Sequence, residues 1–151
     1  MNPMRFRSKK GVTLVEMLLA AAILAYAVCG ILALYAGCFD LISTSKNISI
    51  AINAAQGLME EIRNAPFPQI IDDYNNLNFT VNTMPLNRGA VYVDDTDPEL
   101  LRITISVCWN QRNRIIGEDG NLNGVLEAGE DANSNGIIDS PVQLVTLVAN
   151  R

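Results

Sequence analysis

A long apolar segment near the N-terminus constrains this chain more than any other feature. Between Val12 and Phe39 the only carboxylate is Glu16, and the other ionisable side chains are two tyrosines and two cysteines. A helix needs about 20 apolar residues to cross the hydrocarbon core of a bilayer, so the segment is long enough to span one. The sequence therefore predicts a membrane-spanning helix over residues 12–39.

The charges on either side of this segment predict its orientation. Four basic residues precede it, and the first charged residue after it is Asp40; the basic residues are Arg5, Arg7, Lys9 and Lys10. Because basic residues favour the cytoplasmic side, we expect the N-terminus in the cytoplasm and everything beyond residue 40 outside it. The predicted location is the cytoplasmic (inner) membrane, with a single pass and a head in the periplasm or on a cell-surface filament.

Two other processing schemes fit parts of the segment. The apolar core of a secretory signal is typically about 7–15 residues long, shorter than this one, but Ala25-Tyr26-Ala27 would suit its cleavage site. Leu34-Tyr35-Ala36-Gly37-Cys38 is similar to a lipoprotein cleavage box, with Tyr35 at a place where a small or aliphatic residue is usual. Both schemes stay open at this point.

Glu16 is the candidate functional residue of the segment. A carboxylate within a bilayer costs roughly 2.5–3.5 kcal/mol on insertion scales, so its presence indicates a function and a partner charge. The simpler alternative is that its side chain only reaches the membrane interface and has no partner.

The sequence Lys9-Lys10-Gly11-Val12-Thr13-Leu14-Val15-Glu16, followed by an apolar helix, resembles the class III signal of type IV pilins and type II secretion pseudopilins. The resemblance implies that a prepilin peptidase cuts between Gly11 and Val12 and methylates the new amine. It also implies that Glu16 neutralises the terminal ammonium of a neighbouring subunit, an attraction of about 4 kcal/mol at 4 Å and a dielectric near 20. The implied partners are other pilin or pseudopilin subunits, the prepilin peptidase and an inner-membrane assembly platform.

The charge balance argues against nucleic-acid binding and catalysis. The chain has 11 basic and 16 acidic residues, and removal of the four basic leader residues leaves seven basic residues and a net charge of −9. Phosphate contacts require clusters of Lys and Arg, so we expect no direct nucleic-acid partner. The chain has no histidine, which excludes histidine-dependent triads and His-ligated zinc sites, and we expect no enzymatic activity.

Helical spacing continues beyond the membrane segment. Apolar residues recur at steps of three and four, at Ile48, Ala51, Ile52, Ala55, Leu58, Met59 and Ile62, and no proline occurs between residues 12 and 64. One helix over 12–64, about 80 Å long at 1.5 Å per residue, would have residues 40–64 as its amphipathic half. Pro66 and Pro68 end it. Residues 55–63 resemble the corresponding helix end of minor pilins and pseudopilins of the PilV and GspI type.

The period then changes from helical to alternating. Four segments read as strands, at residues 79–84, 90–93, 101–109 and 142–148. We expect an α+β fold in which the long helix packs on a roughly four-stranded antiparallel sheet of a head domain, 65–151. Ile52, Leu58, Met59 and Ile62 would face the odd-numbered row from Leu101 to Trp109.

An insertion at 118–139 carries a calcium-loop pattern between the last two predicted strands. Oxygen-bearing side chains occupy the first, third, fifth, ninth and twelfth places of a twelve-residue loop, with Gly124 at the sixth and the carbonyl of Val125 at the seventh; they are Asp119, Asn121, Asn123, Glu127 and Glu130. This pattern predicts a bound Ca²⁺.

The pattern repeats twelve residues later. The matching residues are Asp131, Asn133, Asn135, Ile137 through its carbonyl, and Asp139. The twelfth place is Val142, which cannot ligate, so this second site is incomplete unless Glu118 or Glu130 is shared. The tandem arrangement resembles dockerin-like or thrombospondin type 3 loops. The alternative is a solvated insertion with two Asn-Gly turns.

Calcium would also give a small head a cross-link. A core of under about 90 residues is marginally stable, and small domains commonly rely on metals or disulfides. Cys29 and Cys38 lie nine residues apart on the predicted helix, beyond disulfide reach, and Cys108 lies in a strand. Two hypotheses remain: a filament subunit with a calcium-stabilised head, and a membrane- or lipid-anchored extracytoplasmic calcium-binding protein that does not polymerise.

Overall fold

The computed structural model describes residues 11–150 and has the predicted α+β class. The predicted leader is residues 1–11, and its residues 1–10, which include the four basic ones, lie outside the described residues. The elements are α1 (Leu14–Asn64), α2 (Phe67–Tyr74), β1 (Asn78–Phe79), β2 (Asn87–Asp97), β3 (Leu100–Gln111), β4 (Arg114–Ile116) and β5 (Gln143–Ala149). The prediction of one long helix ending before Pro66 is confirmed.

The chain forms two compact units, one up to Ile42 and one from Ser43 onward, and α1 contributes to both. In the first unit every residue from Gly11 to Phe39 is exposed. α1 contains a stretch with a mean hydropathy of 2.5, which makes it long and apolar enough to cross a membrane.

The second unit is built on an antiparallel sheet with β3 at its centre. β2 pairs along one edge of β3, while β5 and β4 pair with successive parts of the other edge, at Leu100–Ser106 and Trp109–Gln111. β1 adds to the far side of β2. Residues 117–142 therefore leave the sheet after β4 and return to the same edge as β5.

The main core lies between α1 and one face of this sheet. Ala51, Ala55, Met59 and Ile62 of α1 are buried in one cluster with the predicted row of β3, Leu101, Ile103, Ile105, Val107 and Trp109. Alternate residues of a strand share a face, which is why the odd-numbered row is buried together. Ile52 and Leu58 are only partly buried and pack against this cluster, whereas Ala51 and Ala55 are fully buried in it.

Three local features differ from the prediction. The strand expected over 79–84 ends at Phe79, because the side chain of Asn87 takes its backbone partners: it accepts from the Val81 N–H at 2.6 Å and donates to the carbonyls of Val81 and Met84 at 3.0 Å. α2 was not predicted; its prolines lie at its start, where a missing N–H costs little. The short strand β4 was not predicted either.

Candidate functional site

The insertion between β4 and β5 begins directly over Cys108 of β3. Gly117 has a φ of +112°, and a Cβ there would lie 2.3 Å from the Cys108 Sγ, so no side chain fits. The two ends of the insertion are joined by a hydrogen bond of 2.8 Å from the Glu118 N–H to the carbonyl of Asp139. The Ser140 hydroxyl also donates to the carbonyl of Val107. The insertion is therefore attached to the sheet at both ends.

The insertion covers the second face of the sheet. Ile138 packs with Ala90 and Cys108 in a separate apolar cluster, which Tyr92, Leu122 and Leu126 border. The Tyr92 hydroxyl accepts a hydrogen bond of 3.1 Å from the Ile138 N–H. This cover accounts for the burial of Thr104, Ser106 and Cys108, on the face of β3 opposite the row that the sequence predicted.

Burial of this cluster shifts two titrating groups. Desolvation raises the pKa of the Cys108 thiol above its ordinary value, and it also raises the pKa of the Tyr92 hydroxyl. Both groups are therefore neutral near pH 7. A protonated thiol is a weak nucleophile, so Cys108 acts here as an apolar packing residue.

Asp119 organises the first loop from a buried position, with 1% of its surface exposed. Its Oδ1 accepts from the Asn123 N–H at 3.1 Å, and its Oδ2 accepts from the Gly124 N–H at 2.7 Å. Gly124 has a φ of +81°, and a Cβ there would meet Asn78 Oδ1 at 2.4 Å. Glycine is thus required both by the turn and by the approach to β1.

Three more predicted ligands of the first loop meet at Glu127. Its carboxylate accepts from the side-chain amides of Asn121 and Asn123, at 3.2 and 2.8 Å. The Oδ1 of Asn123 accepts from the Val125 N–H at 2.7 Å. The structure therefore brings these predicted side chains together around one turn.

The second loop repeats this geometry. Asp131 accepts from the N–H groups of Asn135 and Gly136 at 3.1 and 2.9 Å, and Asp139 accepts from the amides of Asn133 and Asn135 at 2.5 and 2.9 Å. The Ile137 N–H donates to Asn135 at 2.9 Å. The backbones match too, since φ is +57° and +59° at the fourth places, Leu122 and Ser134, and +81° and +78° at the sixth places. The twelve-residue repeat is therefore also a structural repeat.

Each loop is closed by a glutamate that precedes the other loop. Glu130 accepts from the N–H groups at places two and nine of the first loop, Gly120 at 2.8 Å and Glu127 at 3.1 Å. Glu118 does the same in the second loop, with Ala132 at 3.2 Å and Asp139 at 3.0 Å. From the sequence, either Glu118 or Glu130 could complete the second loop. In the structure it is Glu118 that contacts the second loop. The signal in the sequence is the Glu-Asp pair that starts both repeats.

The donor set determines which metal the loops suit. Among residues 11–150 no group of three or more His, Cys, Asp or Glu side chains is arranged as a metal cluster. Each loop instead combines three carboxylates with two Asn side chains. The Oδ1 atoms of these asparagines accept from main-chain N–H groups, and their Nδ2 groups donate to the carboxylates. Calcium prefers oxygen ligands of this mixed kind, whereas zinc prefers nitrogen and sulfur. The residue types of the two loops are therefore those of a calcium site, although each Asn amide would have to turn to present its oxygen.

The predicted processing and assembly residues lie at the start of the first unit. Gly11 and Val12 are exposed and precede α1. The Thr13 hydroxyl accepts a hydrogen bond of 3.3 Å from the Glu16 N–H, which is a Thr-x-x-Glu cap. Glu16 is in the first turn, where the helix dipole favours a carboxylate. This local role of Glu16 was not predicted, although the spacing of Thr13 and Glu16 indicates it.

Over residues 11–150 the chain has an α+β fold with one candidate membrane-spanning helix and a tandem pair of loops rich in Asp, Asn and Glu. Protein-family models, curated proteins and solved structures gave no match to this chain. A functional assignment therefore depends on the residues of the chain itself.

Proposed function

We propose that this protein is a structural subunit, of the minor type, of a type IV pilus-like or type II secretion filament. A prepilin peptidase processes it after Gly11, its N-terminal helix assembles with other subunits, and calcium stabilises its head. The observation that carries the proposal is the apolar part of α1, exposed on all sides and preceded by a signal of the class III type.

The exposed part of α1 supports assembly because none of its side chains is buried by the rest of the described chain. From Leu14 to Phe39 no side chain of α1 is buried, and apolar residues occupy every face. A helix that is apolar all round requires either lipid or other helices around it. A subunit that moves from the membrane into a filament exchanges the first environment for the second.

Glu16 supports the filament form of the proposal. Cleavage would create a positively charged amino terminus at Val12, four residues before Glu16. Glu16 is the only carboxylate between Leu14 and Phe39 that could neutralise such a terminus. A neighbouring subunit displaced along the axis would bring its ammonium to this carboxylate. Both charges would then be satisfied away from water, where their attraction is strongest.

The calcium part of the proposal rests on the repeated loop geometry. The residues that would hold the first ion are Asp119, Asn121, Asn123, Val125 through its carbonyl, Glu127 and Glu130. Those for the second are Asp131, Asn133, Asn135, Ile137 through its carbonyl, Asp139 and Glu118. An ion that binds only the folded loops stabilises the folded head by mass action.

The decisive experiment is mass spectrometry of the full chain extracted from membranes of cells that contain a prepilin peptidase and its assembly platform. We expect a chain that begins with N-methylated Val12, and an uncleaved chain for the variant Gly11→Leu. An intact N-terminus in the wild type, or a diacylglyceryl cysteine at position 38, would instead support the anchored, non-polymerising calcium protein.

Assembly is tested separately with Glu16→Gln. We expect normal cleavage but loss of the subunit from sheared filaments, because the carboxylate no longer neutralises the neighbouring terminus. Thr13→Ala is the matched control, since it removes the helix cap but keeps the carboxylate, and it should still enter filaments. Equal incorporation of Glu16→Gln and wild type would overturn the assembly role.

A further inference from the structure

Both loops contain an Asn-Gly pair at their fifth and sixth places, Asn123-Gly124 and Asn135-Gly136. Asn-Gly is the dipeptide most prone to spontaneous deamidation, because glycine has no Cβ to obstruct attack by its main-chain nitrogen on the side-chain amide. Both asparagines are exposed to solvent. The rate of deamidation at each asparagine therefore depends on how the loop holds the main-chain nitrogen of the following glycine.

We propose that Asn123 and Asn135 are deamidation sites, and that Asp119 and Asp131 slow deamidation at these two positions. The Gly124 N–H donates to the Asp119 carboxylate at 2.7 Å, and the Gly136 N–H donates to the Asp131 carboxylate at 2.9 Å. A nitrogen whose N–H donates to a carboxylate in this way keeps its proton and is less available for attack. The reacting atoms cannot align until that hydrogen bond breaks.

The asparagine side chains are restrained as well. The Asn123 Oδ1 accepts from the Val125 N–H at 2.7 Å, and its Nδ2 donates to Glu127 at 2.8 Å. In the second loop the Oδ1 of Asn135 accepts from Ile137, and its Nδ2 donates to Asp139. Attack requires the amide carbon to rotate toward the following nitrogen, which breaks these bonds also.

The reaction itself needs only water. The Gly124 nitrogen loses its proton to solvent and bonds to the Asn123 Cγ, and the side-chain NH₂ takes a proton from solvent and leaves as ammonia. Water then opens the resulting succinimide at either carbonyl, giving aspartate or isoaspartate. Isoaspartate adds one atom to the main chain between places five and six, so it alters the loop spacing, whereas aspartate only adds a charge.

The inference is tested on the full chain in detergent micelles at mildly alkaline pH, with a chelator present so that it does not depend on calcium. Peptide mass spectrometry follows the exchange of NH₂ for OH at each asparagine. We expect Asp119→Ala to accelerate deamidation of Asn123 roughly tenfold to a hundredfold, the factor for loss of a hydrogen bond to a charged group. Asn135 should keep its wild-type rate.

Asp131→Ala is the reciprocal variant and should accelerate Asn135 alone. Asn121 and Asn133, which no glycine follows, should stay amides throughout. Asp119→Asn keeps one of the two acceptor oxygens and should give an intermediate rate at Asn123. Equal acceleration at both sites in every variant would reveal general opening of the insertion and overturn the proposal. Unchanged rates in all variants would overturn it as well.

Discussion

Glu118 accepts a hydrogen bond of 3.0 Å from the main-chain N–H of Asp139, 21 residues away in the sequence. The residue before the first loop therefore closes the second, while Glu130, before the second loop, closes the first. Val142, at the twelfth place of the second loop, is instead buried in the main core. The first loop is therefore closed by its own twelfth residue, whereas the second is closed by a residue that lies outside it.

The hydrogen bonds of Glu130 and Glu118 predict which calcium site each substitution should affect. We expect Glu130→Gln to weaken calcium binding at the first loop and Glu118→Gln to weaken it at the second, each by about tenfold or more, because each change removes one charged ligand. Isothermal titration calorimetry of the full chain in micelles measures both sites. Glu99→Gln, an exposed change of equal charge outside the insertion, should bind like wild type, and a similar loss in this control would point to net charge alone.

Calcium removal is expected to expose Cys108. The insertion covers this thiol to 1% exposure, and without metal the loop carboxylates repel one another and the cover opens more often. In a chain with Cys29→Ser and Cys38→Ser, a thiol reagent should modify Cys108 several-fold faster in chelator than in calcium. Equal labelling rates in a protein that binds calcium by calorimetry would mean that the cover does not depend on the ion.

The same substitution should have different costs at a buried and at an exposed position of the sheet. Val107 is fully buried against α1, whereas Val145 of β5 is 56% exposed. We expect Val107→Ala to lower the free energy of unfolding by about 2 kcal/mol, from lost burial and the cavity left behind. Val145→Ala should change it by only about 0.5 kcal/mol. Urea unfolding followed by the fluorescence of Trp109 compares them, and equal losses would contradict the assigned core.

Stability should fall at alkaline pH. Burial places the pKa of folded Cys108 above its ordinary value of 9.0, so the unfolded chain releases this proton first. The stabilisation is present below the unfolded pKa and is lost as the pH rises through the folded one. Urea midpoints measured across this range should decline less steeply for Cys108→Ala than for wild type. Parallel curves would show that the thiol does not titrate differently on folding.

Much of the fold could be predicted because its signals are local. Spacing of three and four identified α1, and fixed offsets identified both loops. Alternation identified most of β3 and β5 but only residues 90–93 of β2. β1 and α2 were harder to predict. The side chain of Asn87 determines where β1 ends, and the positions of two prolines determine where α2 begins. The burial of Ser106 and Cys108 could not be predicted, since it depends on where a distant insertion folds.

The sequence by itself determined the apolar helix, the buried row of β3 and the order of the loop side chains, because each depends on neighbours within one or two turns of the chain. Only the tertiary structure decided that Glu118 closes the second loop and that Ile138 covers Cys108. Those contacts join residues more than 20 positions apart, and their geometry depends on β4 and β5 pairing with the same edge of β3.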